Sequence, residues 1–119
     1  MKRFLLYISF LTSFISLCAQ SDYYMRQARS YQYEAEFYTK QAQGYDKEVT
    51  YYNRQAQGYL REEEYYSKRE KYDQVRSYQR KVKEASDKAE FYKRKADNAR
   101  DKARVYMWKA KKALQNAKK

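Results

Sequence analysis

Phe37-Tyr38-Thr39-Lys40-Gln41-Ala42-Gln43-Gly44-Tyr45 returns as Tyr51-Tyr52-Asn53-Arg54-Gln55-Ala56-Gln57-Gly58-Tyr59, a period of 14 residues, and the chain after residue 22 is built from this unit. Copies begin at Tyr23, Phe37, Tyr51, Tyr65, Ser77, Phe91 and Val105. Their second position is always tyrosine: Tyr24, Tyr38, Tyr52, Tyr66, Tyr78, Tyr92 and Tyr106. The copy beginning at Tyr65 has 12 residues instead of 14. Self-similarity at a fixed short period marks a repeat architecture rather than an irregular globular core.

Within each unit the apolar or small residues fall at positions 2, 6, 9 and 13. That 4-3-4-3 spacing is a heptad pattern, with position 2 as d and position 6 as a. The d series runs Tyr24, Tyr31, Tyr38, Tyr45, Tyr52, Tyr59, Tyr66, and the a series between them runs Ala28, Ala35, Ala42, Val49, Ala56, Glu63. After the short copy the seam resumes with Val75, Tyr78, Val82, Ala85, Ala89, Tyr92, Ala96, Ala99, Ala103, Tyr106, Ala110, Ala113 and Ala117.

Losing two residues from a heptad frame swings the apolar stripe by more than a quarter turn, which a continuous supercoil absorbs only as a defect. A chain reversal removes the conflict. The pattern therefore predicts an all-α fold, a long antiparallel helical hairpin of coiled-coil type. Helix 1 is expected over residues 21–67, a turn over 68–73 and helix 2 over 74–119. Two helices of about 45 residues would each be roughly 65 to 70 Å long. Folding so that facing seam residues sum to 141 puts an a residue opposite a d residue throughout. Tyr45 then meets Ala96, Tyr59 meets Val82 and Tyr92 meets Val49, so large faces small as close packing requires. The same register sets Glu34, Glu48 and Glu62 opposite Lys109, Lys95 and Lys81. Gly44 and Gly58 lie inside helix 1, where their expected use is close approach of another helix. An alanine-rich seam buries little apolar area, so the hairpin is expected to self-associate.

Composition sets limits on function. Of 119 residues 35% are charged, 18% are aromatic, none is proline or histidine, and the mean hydropathy is −1.23. Aromatic content and strict periodicity argue against disorder. Residues 20–64 hold six Lys/Arg against eight Asp/Glu, a net −2, whereas residues 65–119 hold 19 against seven, a net +12. Without histidine, a glycine-rich phosphate loop or metal-ligand spacing, the expectation is a non-enzymatic protein with no cofactor, no metal and no small-molecule substrate.

Lys2 and Arg3 precede the apolar run Phe4 to Leu17, which small and polar residues follow. This looks like a secretory signal peptide over 1–20, implying a periplasmic, cell-envelope or extracellular protein. Ile15-Ser16-Leu17-Cys18 resembles a bacterial lipoprotein box, making Cys18 a candidate lipidation site, although Leu17 stands where that box carries a small residue. A leader, a short alanine-rich rod and the terminal Lys119 resemble the small murein lipoproteins of bacterial envelopes. The tyrosine seam departs from that pattern, and no function is carried over.

Two surfaces are candidates for binding. At position 1 of the unit, a c position beside the seam, Tyr23, Phe37, Tyr51, Tyr65 and Phe91 are each followed three residues later by Arg26, Lys40, Arg54, Lys68 and Arg94. Such neighbours share a helix face and recur about every 21 Å. A contact with a partner helix is one reading; a ladder that stacks on sugars or bases while neutralising anions is the other. Arg80, Lys83, Lys93, Arg100, Arg104, Trp108, Lys111 and Lys112 extend a basic face on the second helix, suited to nucleic acid, acidic glycan or lipid headgroups. The expected partners are a second copy of the chain, a helix of another protein, or a polyanion.

Overall fold

The computed structural model describes the backbone from residue 2 and side chains from residue 19 to residue 119. It contains two helices, α1 (Lys2–Lys68) and α2 (Tyr72–Ala117), and no strand among the described residues. Together they form a helical hairpin. The signal peptide and Cys18 readings fall on side chains outside the described residues. Among the described residues no helix is long and apolar enough to cross a membrane.

The reversal is tighter than the sequence suggests, three residues rather than six: Lys68 closes α1, while Tyr72 and Asp73 open α2. Lys71 N–H donates to Tyr66 C=O and Glu70 N–H to Ser67 C=O, both at 3.1 Å. This pair of bonds is the Schellman ending, which satisfies carbonyls the helix leaves without partners. Its residue in the left-handed conformation is usually glycine; here it is Glu70, at φ 59°. Basic Lys68 lies in the last turn of α1 and acidic Asp73 in the first turn of α2, each favourable to the local helix dipole.

Two compact units are built on this pair of helices. One spans Tyr38–Asp101 and includes the turn; the other combines residues up to Phe37 with Lys102–Lys119. In the first the buried residues are Ala42, Ala56, Ala85, Ala89, Ala96 and Ala99; in the second they are Ala28, Ala35, Ala103, Ala110 and Ala113. Every one belongs to the seam read from the repeat. No side chain larger than alanine is fully buried among the described residues, because the seam tyrosines are half-buried, with their rings lying along the groove.

The register sets no tyrosine directly opposite another, yet the rings do meet lengthwise. In the turn-containing unit Tyr92 contacts Tyr45 at 6.1 Å and stacks on Tyr52 at 5.7 Å between ring centroids. Tyr78 repeats this with Tyr59 at 6.2 Å and Tyr66 at 5.6 Å. Tyr92 and Tyr78 thus each sit between two rings of α1, at the levels of Val49 and Glu63. In the other unit Tyr31 and Tyr106 lie 6.1 Å apart. An alanine spacer leaves a gap about one ring deep, and rings from the layers above and below fill it.

The interior glycines do not serve a close approach within the chain: a Cβ at either Gly44 or Gly58 would meet nothing within 4 Å.

Candidate functional site: a tyrosine–lysine face

Position g of α2 is lysine in five successive heptads, Lys81, Lys88, Lys95, Lys102 and Lys109. In the turn-containing unit Lys81, Lys88 and Lys95 place their Nζ atoms 5.8, 5.4 and 5.7 Å from the ring centroids of Tyr59, Tyr52 and Tyr45 across the seam. Two of the three also lie over a ring of their own helix, Lys81 at 4.8 Å from Tyr78 and Lys95 at 4.6 Å from Phe91. In the other unit Lys109 holds the same position over Tyr31 (5.8 Å) and Tyr106 (5.1 Å). An ammonium over an aromatic face is drawn by the ring quadrupole, at about 0.5 to 1 kcal/mol when exposed.

The sequence reading set these lysines against glutamates. Among the described residues no ion pair joins Glu34 to Lys109, Glu48 to Lys95 or Glu62 to Lys81. A lysine flanking a tyrosine seam reaches a ring by lying down along the groove, and the apolar stem is covered as the head approaches the π face. The row itself was legible as lysine at every seventh residue of the second helix. What hid it was the assumption that an acid opposite a base decides the contact.

The c-row aromatics stand beside the seam as expected, exposed between 47% for Phe91 and 60% for Tyr23. Four of them lean edge-on against the next residue's ring: Tyr23 on Tyr24, Tyr51 on Tyr52, Tyr65 on Tyr66 and Phe91 on Tyr92, at 5.1 to 5.4 Å. At two of the five rings the cation differs from the expected one by one position. Arg69, not Lys68, lies over Tyr65 at 3.6 Å and also donates to the Tyr65 carbonyl; Lys95, not Arg94, lies over Phe91. Lys68 pairs instead with Glu64 at 3.3 Å. Side chains on a helix lean toward its N-terminus, so the residue four places on covers a ring better than the residue three places on. Gln55 donates its amide to the Tyr51 hydroxyl at 2.8 Å. Arg26, Lys40, Arg54 and Arg94 are exposed.

On the basic face Arg80, Lys83, Lys93, Lys111 and Lys112 are exposed, and Lys112 lies 5.5 Å from the Trp108 ring. Arg76, Arg80 and Lys83 line a shallow recess at the start of α2 together with Asp73 and Gln79. Arg104 is exposed as well. Arg100 is committed elsewhere: its guanidinium pairs across the seam with Asp46 and along α2 with Asp97 at 3.1 Å. The hydrogen bond to Asp46 is the main reason its pKa lies above the ordinary guanidinium value. Near the turn Gln79 donates to the Glu63 carboxylate at 3.2 Å, satisfying the one acid placed in the seam.

The chain matches no family model, no curated protein and no solved structure.

Proposed function

We propose that this is an exported, non-enzymatic protein of coiled-coil type that self-associates and works as a structural or adaptor rod, engaging its partner through a helix face. The observation that carries this reading is the row of large rings, Tyr23, Phe37, Tyr51 and Tyr65, 48–60% exposed beside a seam whose buried residues are all alanine. A hairpin that spends alanine on its interior and leaves aromatic side chains outside has its larger apolar surface available for contact. Sedimentation of the full chain in mild detergent tests the reading. Association with a dissociation constant in the micromolar range or tighter is expected; a mass of one chain throughout would overturn it.

Binding to a polyanion is the second reading, supported by the net charge of +12 and by the exposed Arg80, Lys83, Lys93, Lys111 and Lys112. Titration with a duplex oligonucleotide, an acidic polysaccharide and a neutral one, followed by Trp108 fluorescence, separates the two. Saturable binding of one acidic ligand at physiological salt favours this second reading. Binding that vanishes with salt for both acidic ligands is the generic attraction of any polycation.

A further inference from the structure

The flank of the hairpin that carries the c and g rows is chemically two-sided. In the turn-containing unit its α1 side presents Gly44, Tyr51 and Gly58 in the c row with Glu48 and Glu62 in the g row; its α2 side presents Glu84 and Phe91 in the c row with Lys81, Lys88 and Lys95 in the g row, so lysine outnumbers acid there by three to one. We infer that this flank binds a second copy of the chain side by side, with the two turns at the same end. The inference rests on the self-association proposed above and specifies its face and orientation.

Charge decides the orientation. A copy related by a two-fold axis along the helices lays its α2 across α1, bringing Glu48 and Glu62 against the partner's lysine row. Neither glutamate has an ion-pair partner within the chain among the described residues. A copy turned end over end would lay α1 on α1, with glutamate against glutamate and lysine against lysine. Like charges so placed oppose that alternative and leave the side-by-side dimer.

Apolar and empty positions fall in step under the same operation. The seam register sets Tyr51 level with residue 90, so its ring, 53% exposed, faces the band of the partner that holds Phe91, 47% exposed. Gly44 and Gly58 come level with the bands of Lys95 and Lys81. The open space at both glycines gives the lysine stems, already laid over tyrosine rings, room beneath an approaching helix. Rings meet rings, and glycines meet the lysines that would otherwise hold the helices apart. The arrangement thus supplies a use for two glycines at which an added Cβ would meet nothing in their own chain.

Pyrene attached at Lys71→Cys, in the turn of the full chain carrying Cys18→Ser, tests the arrangement in mild detergent. Excimer emission that rises with protein concentration is expected, because side-by-side copies bring their turns together. Tyr51→Arg sets a cation against the partner's lysine row and should weaken association at least tenfold, whereas Asn53→Arg, on the opposite flank of the same helix, should leave it unchanged. Circular dichroism checks that both variants stay helical. Association without excimer, or association indifferent to Tyr51→Arg, overturns this arrangement and leaves self-association standing. No association by sedimentation overturns both.

Discussion

Glu70, Arg100 and Asp46 carry more of the hairpin's definition than their exposure suggests. Glu70 supplies the left-handed residue that ends α1, a conformation that costs an L side chain about 1 to 2 kcal/mol relative to the right-handed helix. Glu70→Gly removes that strain while adding some freedom to the unfolded chain, so the net gain expected is about 1 kcal/mol, read as a higher urea midpoint. Arg100 and Asp46 join the helices on the flank opposite the lysines, where the facing rows are otherwise mostly neutral. A pKa raised in the folded state means that the Arg100 contribution is fully present below the ordinary guanidinium value. It is lost only as pH climbs through the raised one, outside any working range. Arg100→Gln and Asp46→Asn should each lower the urea midpoint modestly, since both side chains are more than a third exposed. The double variant should fall no further than the worse single one; additive losses would mean that the two residues act separately.

Between the helices, stability comes from interleaved rings over an alanine floor. Tyr92 touches Tyr45 and Tyr52 and supports Phe91, so Tyr92→Ala opens a gap from both sides. Full burial of an aromatic ring would make the loss 3 to 5 kcal/mol; for a half-buried ring about 2 kcal/mol is expected, measurable by chemical denaturation. Lys95 lies between Tyr45 and Phe91, and replacing it with methionine keeps the stem while removing the charge. A loss of about 0.5 to 1 kcal/mol is expected for Lys95→Met; an unchanged or higher midpoint would mean that the ammonium contributes nothing over those rings. Lys81, Lys88 and Lys95 lie over rings while remaining exposed, so they still add to the positive surface of the second helix.

For the molecule as a whole, a seam of alanine and half-buried tyrosine gives thin internal stabilisation, and the proposed association would add to it by mass action. The melting temperature of the full chain should therefore rise by several degrees as its concentration increases a hundredfold. A melting temperature independent of concentration would count against the dimer. Much of the fold was legible: the period of 14, the short copy and the Tyr/Ala alternation specified two antiparallel helices, and all eleven buried alanines were read as seam residues. They were legible because helix periodicity is a one-dimensional property, and a phase slip that would turn the stripe away from its partner leaves a reversal as the simplest solution. The turn's true length, the rings meeting between layers, the lysines lying on tyrosines and the open space at both glycines were not. Each depends on distances between side chains of different helices, where a ring, a carboxylate and water compete for the same ammonium at similar free energies. Sequence pattern fixes which face a residue occupies; only the tertiary structure decides what it touches there.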